Sequence, residues 1–229
     1  HIAIANAVLS EDERRLGTIL IDIGGGTCDI SLYNRGILDK ILVIPMAGSS
    51  ITEDLAIGLK TTLSNAEYIK TNYGVALASS VDPETEIVVE GISGRDSQVK
   101  TQHLVSHVVQ HRVEEMLSIC YDRLKNSYMP ELVTAGIVLT GGTAKLQMID
   151  AVVKNSFNLP VKIAQPDLSN LNGDTEMLKD PAFATCVGLL RHAAAQEPES
   201  KAPALRLGTF KAGKTLEKIK QIFKDFTST

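Results

Sequence analysis

Apolar and polar positions change period several times along the chain, and each change marks an element. Ile2 to Leu9 is Ala-rich and reads as the end of a helix, and the charged run from Glu11 to Arg15 behind Ser10 reads as a connection. Thr18 to Ile23 is the short β-branched run of a buried strand, and Gly24-Gly25-Gly26 interrupts it where a side chain could not follow so tight a turn. Cys28, Ile30 and Leu32 then alternate with Asp29 and Ser31, a strand with one apolar face. Asn34-Arg35-Gly36 supplies a tight turn with glycine available for positive φ, and Ile37 to Pro45 completes a three-stranded meander.

Helical spacing takes over from Ser49 to Leu59, and a second helix opens at Ser64-Asn65-Ala66-Glu67 on a capping oxygen and stops at Asn72-Tyr73-Gly74. Val81 to Val99 is weakly patterned, with a short strand at Glu86 to Val89 among glycines and serines. From Thr101 to about Ser127, apolar residues recur every three or four positions through Val105, Val109, Val113, Met116 and Cys120, which predicts a long amphipathic helix. Ala135 to Thr140 is a buried strand ending in Gly141-Gly142, and Leu146, Ile149, Val152, Val153 and Phe157 set the face of the next helix. Pro160 to Ala164 reads as a strand, Pro181 to Ala195 as a helix of small residues, and residues 196–213 as a linker. The whole is α/β.

Composition narrows the function. Hydrophobic residues make up 44% of 229 and charged residues 22%, an ordinary globular mixture. The net charge of −4 argues against a general nucleic-acid surface. No apolar run reaches the roughly 18 to 20 residues of a membrane span. Cys28, Cys120 and Cys186 are widely spaced, without CxxC, as expected in a reducing cytosol. The last nineteen residues carry five lysines against Glu217 and Asp225, a basic end on an acidic body.

Two glycine turns carry the candidate chemistry. In Asp22-Ile23-Gly24-Gly25-Gly26-Thr27, successive glycines leave backbone N–H groups free to surround phosphate oxygens, and Asp22 is placed to hold Mg²⁺ through water. A ligand-free hairpin accounts for the same residues. Thr140-Gly141-Gly142-Thr143 repeats the arrangement at a strand end before a helix, where open α/β sheets bind ligands. Neither matches GxxxxGKS/T or GxGxxG, so a P-loop or dinucleotide fold is not indicated. Glu67 and Lys70 share a helix face; by themselves they read as a solvated i,i+3 ion pair. His103, His107, His111 and Glu115 are four apart, but each step drifts about 40° around the helix, so the four do not converge and read as a polar stripe. No GxSxG elbow supports hydrolase chemistry. Near the end, Leu216, Ile219, Ile222, Phe223 and Phe226 form one stripe among Lys214, Lys218, Lys220 and Lys224, which fits a helix packed on its own body or one lying on an anionic membrane.

The order of these motifs resembles the actin and sugar-kinase ATPase superfamily: Asp22 with Gly24 to Thr27 and a meander, an Ala66-Glu67 to Lys70 helix, then Gly141-Gly142-Thr143-Ala144. The wording of Ala7 to Glu13, Val43 to Gly48, Ala135 to Gly142 and Ala184 to Leu190 is closer to the FtsA family of bacterial cell-division proteins. The resemblance implies an actin-like (ribonuclease H-like) ATPase fold, mainly its second lobe, with a C-terminal amphipathic helix. It divides the chain into the end of a first-lobe helix (1–16), a nucleotide-binding core (17–62 and 135–195), an inserted small subdomain (63–134), a linker (196–213) and a membrane-targeting helix (214–229). The family's first lobe and first phosphate loop have no counterpart here, so the chain is expected to be part of a longer or split protein.

Carried over residue by residue, the resemblance places Asp22 and Gly24, Gly25, Gly26 and Thr27 at the β- and γ-phosphates of ATP and at Mg²⁺. Glu67 and Lys70 fall at the ribose, and Gly141, Gly142 and Thr143 at the adenosine. It further implies at most weak ATPase activity, self-association into filaments, and binding of the FtsZ C-terminal peptide on the inserted subdomain. The tail helix would then anchor the chain at the cytoplasmic face of the cell membrane at the division site. An MreB- or PilM-like assembly protein, or a sugar- or acid-kinase-like enzyme, is the alternative within the superfamily.

Overall fold

The computed structural model describes residues 1–126, 130–169 and 171–196. Among the described residues seven strands and seven α-helices follow in this order: α1 (Ile2–Val8), α2 (Glu11–Leu16), β1 (Thr18–Ile23), β2 (Cys28–Asn34), β3 (Ile37–Ile44), α3 (Gly48–Leu59), α4 (Leu63–Tyr73), β4 (Glu86–Val89), β5 (Gln98–Thr101), α5 (Gln102–Leu124), β6 (Ile137–Thr140), α6 (Ile149–Phe157), β7 (Val161–Ile163) and α7 (Ala184–Gln196). A five-stranded sheet runs β3-β2-β1-β6-β7, and β4 and β5 form a separate pair. The meander β1-β2-β3 is antiparallel, while β6 lies parallel to β1 and β7 parallel to β6.

Side-chain alternation gives this sheet two cores. Ile19, Ile21 and Ile23 of β1, with Cys28, Ile30, Ile137 and Leu139, face helices α3 to α6 and are buried among Ile51, Leu55, Ile69, Val109, Val113, Met116 and Val153. Leu20 and Val138 face the opposite side and pack with Ile4, Val8, Ala184 and Val187 of α1 and α7. Helices therefore cover both faces, and β1 is central and buried at every position except the partly exposed Asp22.

Three local readings change. Residues 11–16, expected as a connection, form α2: Ser10 Oγ accepts from the Glu13 N–H at 3.2 Å and Glu13 Oε2 accepts from the Ser10 N–H at 2.9 Å, a reciprocal cap that outweighs the charge run. The cap of α4 is Thr62, whose Oγ1 accepts from the Asn65 N–H, so Ser64 lies inside the first turn. The strand β5 was not legible from Gln98-Val99-Lys100-Thr101; it exists because it pairs with β4, with Val88 opposite Val99.

Candidate functional site

Because β1 and β6 are parallel and adjacent, both glycine turns leave the sheet at the same end. Asp22 pairs with Thr140, and the chain turns immediately beyond each. The first turn is closed by the Gly24 N–H donating to Thr27 O at 2.9 Å. Its Gly24 carbonyl accepts from the Gly48 N–H at 3.1 Å and from Thr143 Oγ1 at 2.7 Å, and the Ser49 N–H donates to Gly25 O at 2.7 Å. The two turns and the start of α3 thus form one hydrogen-bonded unit. Gly48 stands at the crossing: a Cβ there would lie 2.4 Å from Thr143 Oγ1 and 3.2 Å from Gly24 O. Gly141, at φ +93°, passes so close that a Cβ would fall 2.2 Å from Asp22 Oδ1.

Over this unit opens a cavity of about 540 Å³, lined by Gly24, Gly25, Gly142 and Thr143 together with Glu67 and Lys70 of α4. Six of the expected residues therefore share one wall. Asp22, Gly26, Thr27 and Gly141 are not part of it. The cavity adds Gly48, Ser49, Thr71, Gly74, Lys145, Leu146 and Gln147, which sequence reasoning missed. The signal for Gly48 and Ser49 was a lone glycine between a strand and a helix start, too common a pattern to single out.

The expectation that steric need places glycine in the first turn is corrected by its geometry. None of Gly24, Gly25 and Gly26 has a positive φ. An added Cβ would meet only Thr27 O at 3.4 Å from Gly24 and Ser49 Oγ at 3.6 Å from Gly25, and nothing within 4 Å from Gly26. The fold tolerates side chains at all three; glycine keeps the space beside the backbone clear. A cradle that a Cβ would fill fits a phosphate-bearing ligand.

Lys70 is buried, not solvated. Its three ammonium protons have three acceptors: Gly48 O at 3.0 Å, Thr52 Oγ1 at 2.8 Å and Glu67 Oε2 at 2.6 Å. The lysine is thereby spent on joining α3 to α4. Glu67 Oε2 is also contacted by Thr52 Oγ1, while the Glu67 side chain is half exposed toward the cavity it lines. Of the pair, Glu67 is the one with capacity for a ligand.

Asp22 sits on the α1–α7 side of the sheet, in register with Asp29 on β2. Burial, then the charge of Asp29, push its carboxyl up to about 6, against a weak opposing contact from Thr185 Oγ1 at 3.5 Å. Asp29 accepts from Thr27 Oγ1 at 2.7 Å and lies 3.7 Å from His1 Nε2. Two carboxylates facing each other at the strand end are an all-oxygen donor set suited to a hydrated Mg²⁺. Among the described residues no three His, Cys, Asp or Glu side chains form a metal-binding group, so such an ion would keep most of its water. No helix among them is long and apolar enough to cross a membrane. The linker and the stripe Leu216, Ile219, Ile222, Phe223 and Phe226 with Lys218, Lys220 and Lys224 lie outside the described residues.

Comparison with known proteins agrees with this architecture. The family model described as Cell division protein FtsA matches residues 19–188. Cell division protein FtsA of Pseudomonas aeruginosa is 36% identical over 192 residues, covering 84% of this chain and 46% of that protein. Its counterpart in Neisseria meningitidis is 37% identical over 214 residues, covering 90% and 51%. The chain thus spans about half the length of the curated relatives it matches. Among solved structures, MreB5 of Spiroplasma citri bound to ADP superposes with a TM-score of 0.66 at 22% identity, covering 84% of this chain and 58% of that one.

Proposed function

The chain belongs to the FtsA family of cell-division proteins and has an actin-like fold, and on that footing we propose that it binds ATP with Mg²⁺ and helps tether an FtsZ division ring to the membrane. The observation that carries the nucleotide reading is the Thr143–Gly24 hydrogen bond, which joins two turns 119 residues apart into one wall of one cavity. In this reading the open backbone of Gly24 to Thr27 receives the β- and γ-phosphates, and Gly141, Gly142 and Thr143 receive the adenosine. Glu67 accepts from the ribose hydroxyls, and Lys70 holds Glu67 in place rather than reaching the sugar. Asp22 holds a hydrated Mg²⁺, whose charge offsets both the phosphates and the Asp22–Asp29 repulsion.

Family membership supports the proposed partners. Residues 63–134 would receive the FtsZ C-terminal peptide, copies of the chain would self-associate, and residues 214–229 would lie on the anionic inner face of the cell membrane at the division site. Burying five apolar side chains at about 1.5 to 3 kcal/mol each offers an upper bound of ~10 kcal/mol before ordering costs, enough for reversible interfacial binding.

Gly25→Ala tests the nucleotide site without disturbing the fold, because its Cβ makes only an ordinary contact with Ser49 Oγ. Titration with a fluorescent ATP analogue should show Mg²⁺-dependent saturation, weakened at least tenfold by the substitution; equal affinity would remove the phosphate cradle from the proposal. Deleting residues 214–229 should abolish flotation with anionic liposomes, and unchanged flotation refutes the anchor.

A further inference from the structure

Away from the cavity, α5 carries a feature the nucleotide reading does not use. His103, His107 and His111 follow one another at four-residue steps, with His107 and His111 exposed and His103 half-buried. Their rings are in register: His103 and His107 meet edge to face with centroids 4.5 Å apart, and His107 and His111 lie 28° from parallel at 6.4 Å. The opposite side of the helix is locked into the core by Val105, Val109, Val113 and Met116, and Thr101 caps its start. The backbone that spaces these imidazoles is therefore fixed before any ligand arrives.

We propose that His103 and His107, with His111 as an alternative second partner for His107, form a two-imidazole chelate for a divalent transition-metal ion of the copper, nickel or zinc class. Two histidines one helical turn apart present nitrogens to a common point, the same i,i+4 relation that helical zinc sites use. Imidazole nitrogen binds such ions at about 2.0–2.1 Å, which sets the ring centroids of a cis pair at roughly 4.5 to 5 Å. The His103–His107 spacing already falls in that range, whereas the His107 and His111 centroids lie 6.4 Å apart. The local charge does not oppose a cation. Arg112 is bidentate to Asp54 at 2.6 and 2.7 Å and also bonded to Glu115, and Glu114 accepts from Gln110 on the same helix. Since no third such side chain joins the pair among the described residues, water completes the coordination shell and the ion exchanges readily. Nitrogen donors exclude Mg²⁺ and favour the later first-row ions.

Isothermal titration of the full chain, free of any polyhistidine tag, with Ni²⁺ alone at pH 7.5 tests this. One equivalent should bind, unaffected by excess Mg²⁺. Because His107 belongs to both pairs, His107→Ala should weaken binding at least tenfold, and His111→Ala by only two- to fivefold. His107→Gln provides a second exposed-site variant, with circular dichroism confirming that each still folds. Absence of saturable Ni²⁺ binding, or wild-type affinity in both His107 variants, overturns the proposal.

Discussion

If Thr143 holds the two turns together, replacing its hydroxyl by a methyl group of the same shape should separate them. In Thr143→Val the 2.7 Å bond to Gly24 O is lost, yet that oxygen keeps the Gly48 N–H as a donor, so no buried acceptor is orphaned. The cost is then that of one ordinary hydrogen bond, about 1 kcal/mol. A methyl carbon cannot approach an oxygen closer than about 3.3 Å, so the turns must part by roughly 0.6 Å. A bias of about 1 kcal/mol against the joined arrangement lowers apparent nucleotide affinity by up to about fivefold, because only the joined fraction binds. Urea unfolding and titration with the fluorescent ATP analogue measure the two quantities independently. Thr143→Ser retains the donor and should restore both. Wild-type stability and affinity in Thr143→Val would refute the claim that this contact builds the cavity wall.

Asp22→Asn should stabilise the ligand-free chain at pH 7.5 and not at pH 4. The carboxyl's folded pKa of about 6 exceeds the ordinary 3.8, so its stabilising contribution is complete below about pH 4 and is lost as pH rises toward 6. The gain at pH 7.5 is at most about 3 kcal/mol, read from denaturation curves at both pH values, and a pH-independent difference would contradict the buried carboxylate pair. Lys70→Ala should destabilise by about 2 to 4 kcal/mol, since it removes three hydrogen bonds of a buried ammonium and leaves a void between α3 and α4. A thermal midpoint unchanged in that variant would return Lys70 to the role of an idle surface charge. Met148 sits at φ 62° with its side chain 41% exposed, so Met148→Gly should relieve left-handed strain and raise the midpoint by about 2 °C in calorimetry.

Glycine runs that end β-branched segments were legible in the sequence, and the parallel pairing of β1 with β6 brings those two runs together as expected. Other parts depended on contacts that no local pattern records. Ser10 and Glu13 spelled a capping box, but five successive charges drew attention to solvent instead. Glu67 and Lys70 had the spacing of a surface pair, and only the arrival of α3, with Gly48 O and Thr52 Oγ1 as acceptors, buries the lysine. Gly48 was invisible for the complementary reason: its requirement comes from Thr143, far along the chain, and not from its own turn. The strand β5 has a single aliphatic residue and owes its existence to β4.

The sheet's alternation also divides the proposed site between its two faces. Asp22 and Asp29 project toward α1 and α7, whereas the cavity lies on the α3–α4 side, so the turn from Gly24 to Thr27 is the rim between them. A ligand lodged only in the cavity would leave the carboxylate repulsion untouched; one whose charge extends over the rim would be coupled to it through a shared cation. Gly25 and Gly26, open on the side where a Cβ meets nothing nearer than Ser49 Oγ, give such a crossing its space. This predicts that adenosine, which has no phosphates, binds without regard to Mg²⁺ or to Asp22→Asn, while ATP binding weakens when either is removed. Equal Mg²⁺ dependence for adenosine and ATP would mean that the carboxylate pair and the cavity are separate features of the fold.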